Sequence, residues 1–113
     1  NHLCVFDELY SGTNPYEAIA SGYSYLDYIS KNKNVNFILT THYIGLCSLL
    51  KSKINKNFYM DIQETDASYN YNYTYKIIPG ISKIKGGIKV LKDLEYPDTI
   101  IDSMSKTIKK LSL

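Results

Sequence analysis

The sequence contains no arginine and no tryptophan, and it has only two cysteines and three prolines among its 113 residues. Because all 13 basic residues are lysines, no arginine finger or bidentate arginine clamp can come from this segment. No apolar run approaches the roughly 18–20 residues of a membrane span, and we expect no signal peptide. The first residue, Asn1, is followed at once by a dense apolar run, which is typical of a sequence that begins inside a domain.

The two cysteines, Cys4 and Cys47, lie in apolar contexts and lack the spacing of a metal site. We therefore expect both to be buried, reduced thiols in an intracellular protein. The net charge of +2 is too small for nucleic-acid binding through the overall field of the chain. A hydrophobic content of 44% fits a globular domain with a real core.

The first half of the chain alternates short apolar runs with helical patterns, which predicts an α/β fold with a parallel sheet. Asn14 is the expected N-cap of the first helix, with Pro15 at its first position and Glu17 placed to complete a capping box. The first strand should be buried on both faces, and the second helix should turn Leu46, Leu49 and Leu50 inward. The predicted strands cover residues 3–6 and 35–40, and the helices 15–30 and 43–54.

The second half predicts an antiparallel strand pair followed by two helices. The strands cover residues 58–63 and 71–78, and the helices span 88–94 and begin again at Pro97. The last helix carries one apolar stripe for packing against the domain or a partner subunit: Ile100, Ile101, Met104, Ile108 and Leu111.

Chemically capable side chains follow both predicted strands of the first half. Asp7 and Glu8 end the first strand, and His42 follows the second. The carboxyl ends of parallel strands meet at one edge of a sheet, where α/β proteins bind ligands. In nucleotide hydrolases, one such acid fixes magnesium and the next orients the attacking water. Taken separately, a pair of acids is also a common surface end of a strand, and a lone histidine such as His2 is more often structural.

Two further patterns can be interpreted either as nucleic-acid-binding surfaces or as ordinary structural features. Tyrosines alternate at positions 69, 71, 73 and 75, which suits a stacking platform for single strands or simply an aromatic strand face, and we favour the latter. Lysines near the end of the chain could touch DNA phosphates, but a solvated helix face is the better account. These lysines are Lys83, Lys85, Lys89, Lys92, Lys106, Lys109 and Lys110.

Three motifs together resemble the carboxyl-terminal ATPase domain of the MutS mismatch-repair family. They are Leu3-Cys4-Val5-Phe6-Asp7-Glu8, then Ser11-Gly12-Thr13-Asn14, then Thr41-His42-Tyr43, at the spacing of the family. Gly87-Ile88, Val90 and Pro97 continue the resemblance over nearly the whole chain. The fold it implies is part of an ABC-type P-loop ATPase, whose parallel strands carry the Walker B acids and the switch histidine, followed by a β-hairpin and helices.

The resemblance also implies roles. Asp7 matches the Walker B aspartate that holds Mg²⁺ through water, Glu8 the catalytic glutamate, and His42 the switch histidine that senses the γ-phosphate of ATP. Ser11, Gly12, Thr13 and Asn14 match the D-loop, which crosses the dimer interface and couples two nucleotide sites. The implied partners are a second MutS-like subunit and mismatched double-stranded DNA, held by other domains. Residues 1–96 would belong to the ATPase domain and 97–113 to a packing or dimerisation helix.

Departures from the family pattern keep alternatives open. Tyr10 and Ser11 replace its Gly-Arg pair, and no G-x-x-x-x-G-K-S/T loop occurs in the sequence, so this segment alone should not hydrolyse ATP. The departures and the AT-rich residue usage favour a divergent branch, such as a viral or organelle-type copy. An SMC- or Rad50-like ATPase head fits the D-loop residues less well. A non-catalytic dimerisation module with a decayed site is the third hypothesis.

Overall fold

The computed structural model describes residues 1–52, 54–65, 71–83 and 87–111. Its elements in chain order are β1 (His2–Asp7), α1 (Pro15–Ser30), β2 (Val35–Thr40), α2 (Ile44–Leu49), β3 (Phe58–Glu64), β4 (Tyr71–Pro79), α3 (Gly87–Asp93) and α4 (Asp98–Leu111). They form two compact units, Asn1–Tyr59 with Ile78–Ser82 and Met60–Ile77 with Lys83–Leu113. Whether the chain divides functionally between residues 96 and 97 stays a prediction.

The first unit is built on a parallel pair of strands, as the alternating pattern predicts. β1 and β2 pair from His2 opposite Val35 to Asp7 opposite Thr40, so the two six-residue strands end at the same level. The α1 helix connects them and packs against β2. This arrangement is a β-α-β unit, which brings the carboxyl ends of both strands to one edge.

Only one face of this strand pair is covered by the described chain, so the predicted burial on both faces is not found within these residues. Phe6, Phe37 and Leu39 pack against the core, whereas the alternate residues Leu3, Val5 and Ile38 are 68%, 71% and 59% exposed. The reason is that α1 and α2 supply one apolar layer, and that layer covers the side chains of one pleat face.

The core of the first unit lies between its two helices. Leu26, Leu46 and Leu50 are buried there, with Phe6, Ile19 and Tyr23 among the partly buried residues packed around them. Leu49, expected to point inward, is instead 54% exposed. Successive side chains of a helix point in directions about 100° apart around its axis. Leu49 and Leu50 therefore cannot both face α1.

The start of α1 follows the predicted capping scheme with one change. The Asn14 side chain accepts a hydrogen bond from the Glu17 backbone N–H at 3.0 Å, and Pro15 is the first helical residue. The Glu17 carboxylate accepts a hydrogen bond from the Thr13 hydroxyl at 2.8 Å. The capping residues therefore tie the preceding loop to the first turn of the helix.

The α2 helix ends at Leu49, five residues before the predicted end at Ile54. The Ser52 hydroxyl accepts hydrogen bonds from the backbone N–H groups of Ile54 at 3.2 Å and Asn55 at 3.0 Å. Serine side chains compete with the helix for backbone partners in this way, and here the competing turn replaces the last predicted turns of the helix.

The strands β3 and β4 form the second, two-stranded sheet. The Asn57 carbonyl before β3 accepts from the N–H of Gly80 after β4, and the Thr74 hydroxyl donates to the Asp61 carbonyl. Residue numbers rise along one strand as they fall along the other, so the predicted antiparallel pairing is confirmed.

The alternating tyrosines do not form one regular face of β4. Tyr69 lies outside the described residues, and Tyr75 has a φ of 58°, a left-handed conformation inside β4. A residue in that conformation interrupts the pleat and redirects the side chains that follow it. Tyr73 and Tyr75 are 54% and 83% exposed, so both rings are accessible, but not as members of a continuous ladder.

The α3 and α4 helices pack together in the second unit. Ile88 and Ile101 are buried, while Ile100 and Leu111 of the predicted stripe are 45% and 80% exposed. Lys89 pairs with Asp93 on α3, and its ammonium group lies 5.7 Å from the centre of the Tyr73 ring. None of the helices in the described part of the chain is both long and apolar enough to span a membrane.

Both cysteines are free thiols, as expected, but they are half-buried rather than buried. Burial raises the pKa of the Cys47 thiol above its usual value. The carbonyl of the same residue accepts a hydrogen bond from the Asn57 side chain at 2.8 Å, which joins α2 to the residue that precedes β3.

Candidate active site

Asp7 is the last residue of β1, and its side chain is held by the neighbouring strand. Asp7 Oδ1 accepts a hydrogen bond from Thr40 Oγ1 at 2.6 Å. This length lies within the usual range for a hydrogen bond from a hydroxyl to an oxygen acceptor. The contact is between register partners, so the pairing of the two strands brings the carboxylate and the hydroxyl together.

Glu8 leaves the strand in an unusual backbone conformation. Its φ is 56°, a left-handed value that costs a residue with a Cβ atom of the order of 1–3 kcal/mol. Its backbone N–H donates to the Thr40 carbonyl at 2.9 Å, which continues the strand pairing by one bond before the chain turns. The strained backbone therefore occurs at the second of the two adjacent acids, Glu8. Strain of this kind clusters at functional sites.

His42 lies beside Glu8, although 33 residues separate them in sequence. Its Nδ1 atom is 3.4 Å from Glu8 Oε1, and the two side chains are 65% and 50% exposed. The backbone N–H of Tyr43 donates to the Thr41 hydroxyl at 3.0 Å, which shapes the turn after β2. The imidazole also contacts the Tyr43 ring, with ring centres 4.4 Å apart.

The loop from Ser11 to Asn14 is exposed and joins this edge to α1. Tyr10, just before it, is left-handed with a φ of 59°. A Cβ atom added at Gly12 would meet nothing within 4 Å, so this chain gives Gly12 no steric reason to lack a side chain. At the other end of the loop, Thr13 and Asn14 both bond to Glu17.

The described residues show no complete set of side-chain metal ligands. No three His, Cys, Asp or Glu side chains within residues 1–52, 54–65, 71–83 and 87–111 lie close enough together to share an ion. Asp7 and Thr40 nevertheless place a carboxylate and a hydroxyl oxygen side by side. Such oxygen donors suit Mg²⁺, which is usually held by one or two carboxylates together with water and phosphate oxygens.

Two lysines that are not part of the Asp7, Glu8 and His42 set have raised pKa values. A hydrogen bond to Asp27 raises the pKa of Lys31, and one to Asp93 raises the pKa of Lys89. Both are pairs four residues apart along the helical part of the chain, the common spacing of intrahelical ion pairs. Of the lysines considered for phosphate contacts, Lys85 lies outside the described residues.

Sequence reasoning missed two residues that shape the site. Thr40 is the last residue of the predicted second strand, but its position opposite Asp7 follows from the strand register, which the sequence pattern does not supply. Gly22 gave no such signal. A Cβ atom there would lie 3.2 Å from Leu46 Cδ2 and 3.9 Å from Tyr10 Cδ2. Gly22 therefore lets α2 and the loop after Glu8 approach α1 closely.

The fold and this edge define an α/β protein in which two acids and a histidine meet at the carboxyl end of a parallel strand pair. In open α/β sheets this edge is the usual position of a ligand site. Comparison with known proteins identifies the family. The family model of MutS domain V matches residues 1–112, so the chain belongs to the MutS domain V family.

Individual relatives agree with the family match. The DNA mismatch repair protein MutS of Aquifex pyrophilus is 34% identical over 110 residues, covering 96% of this chain and 13% of the relative. MutS of Clostridium perfringens is 31% identical over 117 residues, covering 100% of this chain and 12% of the relative. The DNA mismatch repair protein MSH3 of Phaeosphaeria nodorum is 27% identical over 104 residues, covering 89% of this chain and 9% of the relative.

The chain thus spans only about an eighth of the length of the curated MutS relatives it matches. The resemblance that the three motifs predict is confirmed, and family membership decides against an SMC- or Rad50-like head.

Proposed function

We propose that this chain supplies the hydrolytic half of the ATP site in a DNA mismatch repair ATPase. The observation that carries the proposal is the meeting of Asp7, Glu8 and His42 at one sheet edge, with His42 Nδ1 3.4 Å from Glu8 Oε1. Relatives named as DNA mismatch repair proteins support the biological role. In this proposal ATP hydrolysis is coupled to the binding of mismatched DNA.

Glu8 is the general base in the proposed reaction. Its half-exposed carboxylate is open to solvent, so a water molecule can approach Oε1 or Oε2. The water would pass a proton to the carboxylate as its oxygen attacks the γ-phosphorus, the bond from that phosphorus to the bridging oxygen would break, and ADP would leave. The bond from the Glu8 N–H to Thr40 keeps the backbone of the base fixed to β2. The left-handed φ turns the chain so that the acid leaves the line of the strand.

Asp7 serves magnesium in this proposal. When bound, Mg²⁺ neutralises charge that develops on the phosphate oxygens. As the family resemblance implies, Asp7 would hold the ion through a coordinated water, while its Oδ1 atom accepts the bond from Thr40. The phosphate-binding loop, its lysine and the magnesium-binding hydroxyl belong to a part of the protein beyond this sequence.

In this proposal His42 contacts the γ-phosphate of ATP, so that its position depends on whether that phosphate is bound. A ring nitrogen that carries a proton can donate to a phosphate oxygen, and the exposed imidazole beside Glu8 is free to turn toward a nucleotide. Because α2 begins two residues after His42, a movement of the imidazole can be passed to the helix and the core behind it.

The Ser11–Asn14 loop is the proposed D-loop, which meets a second MutS-like subunit. Its exposure and the open space around Gly12 suit a surface that another chain approaches closely. The exposed apolar residues Ile100 and Leu111 of α4 suit a role of residues 97–113 in dimerisation. The partner is a second copy or a paralogue, and mismatched double-stranded DNA binds to other parts of the protein.

The test is Glu8→Gln in the full-length protein. ATP binding should persist, and turnover should fall roughly 10²–10³-fold, as expected for the loss of a general base. Glu95→Gln is the matched control, because Glu95 is also exposed and also left-handed, with a φ of 58°. It should turn over ATP at the normal rate.

Either of two results would contradict the proposal. Normal turnover by Glu8→Gln would remove Glu8 from the mechanism. A complete wild-type protein without magnesium-dependent ATP turnover would favour the non-catalytic dimerisation module, which the Tyr10-Ser11 pair in place of Gly-Arg already suggests.

A further inference from the structure

The Thr40 side chain binds the first of the two acids at the sheet edge. Thr40 and Asp7 are register partners at the last position of the parallel pair, so their side chains lie on the same face. Thr40 Oγ1 donates to Asp7 Oδ1 at 2.6 Å. A threonine hydroxyl has one proton to donate, and here it is committed to the carboxylate.

The Thr40 main chain binds the second acid. Its carbonyl accepts the Glu8 N–H at 2.9 Å. One residue therefore holds both acids through different atoms, one in the side chain and one in the backbone. A substitution at Thr40 can remove the first contact and leave the second in place, which separates the two acids experimentally.

We infer that Thr40 is a positioning residue, whose hydroxyl holds the Asp7 carboxylate in the orientation that serves magnesium. This inference rests on the proposed function. The terminal torsion of an aspartate is broad, so a carboxylate with no partner samples many orientations. A bond on Oδ1 selects one orientation and leaves Oδ2 for a metal-bound water. Hydrogen-bond partners of direct metal ligands are worth roughly 10–100-fold in metal affinity, and because Asp7 acts through a water we expect the lower end of that range.

The alternative is that the hydroxyl only forms a structural hydrogen bond between the exposed ends of two strands. Thr40 and Asp7 are both exposed, and such a bond between exposed groups adds little to folding. The two roles differ in their consequences. A positioning role affects metal binding and leaves the melting temperature nearly unchanged, whereas a purely structural role leaves metal binding unchanged.

The experiment compares Thr40→Val with Thr40→Ser in the full-length protein. Valine keeps the β-branched shape and the strand preference but has no hydroxyl, while serine keeps the hydroxyl. Two quantities are measured: the Mg²⁺ concentration for half-maximal ATP turnover, and the Mn²⁺ dissociation constant by electron paramagnetic resonance with a non-hydrolysable ATP analogue. The second readout needs no turnover.

Thr40→Val should raise both quantities roughly tenfold. Thr40→Ser should match the wild type. At saturating Mg²⁺, kcat of the valine variant should approach the wild-type value, because Glu8 keeps its bond to the Thr40 carbonyl. If the valine variant does not fold, Thr40→Ala replaces it as the hydroxyl-free variant and must show the same weakening.

Wild-type metal binding in the hydroxyl-free variant would overturn the inference. So would an equal loss in the serine and valine variants, because the hydroxyl would then not be the cause. A failure of the proposed function is distinguishable from both. It would appear in the wild-type protein itself, as an absence of metal-dependent nucleotide binding and of ATP turnover.

Discussion

Gly22 lies in the middle of α1, where glycine is normally a weakness. Replacing an exposed glycine of a helix by alanine gains about 1 kcal/mol in the free energy of unfolding. At Gly22 we expect the opposite sign. The added Cβ atom would lie 3.2 Å from Leu46 Cδ2 and 3.5 Å from Leu46 Cδ1. The first distance is shorter than an ordinary van der Waals contact, so the leucine must shift by a few tenths of an ångström, whereas the second is an ordinary contact.

Leu46 has little room to move. It is 1% exposed and packs against Leu26, which is 0% exposed. Inserting a methyl group into such packing costs about 1–3 kcal/mol, against the gain of about 1 kcal/mol in helix propensity. Gly22→Ala should therefore destabilise α1 by up to about 2 kcal/mol, with about 1 kcal/mol as the central value.

Removing Leu46 should reverse the sign. Leu46→Ala alone should cost about 3 kcal/mol, because it leaves a cavity in a closed core. In that background the methyl group of Gly22→Ala enters the cavity, and the helix gain of about 1 kcal/mol returns. The double-mutant cycle should thus give a coupling of about 2 kcal/mol, which is within the range for residues in contact.

The assay is amide hydrogen exchange of α1 peptides in the full-length protein, which reports the free energy of local opening. Ser21→Ala is the control, because Ser21 is the exposed neighbour of Gly22 on the same helix. It should slow exchange slightly. A steric conflict between Gly22→Ala and Leu46 is refuted if Gly22→Ala also slows exchange, or if the Gly22 and Leu46 changes are additive within about 0.5 kcal/mol.

Two predictions remain. Asn14→Ala should destabilise α1 by about 1 kcal/mol, because it removes the bond from the Glu17 N–H to the Asn14 side chain. Asn14→Asp keeps an accepting oxygen and should retain stability. Normal hydrogen exchange of α1 in the alanine variant would contradict this prediction. Burial raises the pKa of Cys47, so the unfolded thiol ionises first, and stability should fall as the pH rises above about 8.5. Cys47→Ala should flatten that part of the stability curve, and an unchanged slope would contradict the assignment.

Much of the fold follows from local pattern. The N-cap at Asn14 and proline at the first helical position predict the start of α1, because capping depends on residues within one turn. The six apolar-rich residues of β2 are bounded as predicted. The end of α2 is not, since the turn at Ser52 offers the backbone other hydrogen bonds, and periodicity does not report that competition.

The linear pattern of residues was enough to predict that two acids and a histidine follow two parallel strands. It also predicted that they share one edge, because a β-α-β connection brings the carboxyl ends of both strands to the same side. It also carried the motifs by which the family is recognised. The 2.6 Å bond from Thr40 to Asp7, the left-handed turn at Glu8 and the close contact at Gly22 became visible only in the folded chain. These features depend on which side chains from distant segments meet, and a local pattern does not contain that information.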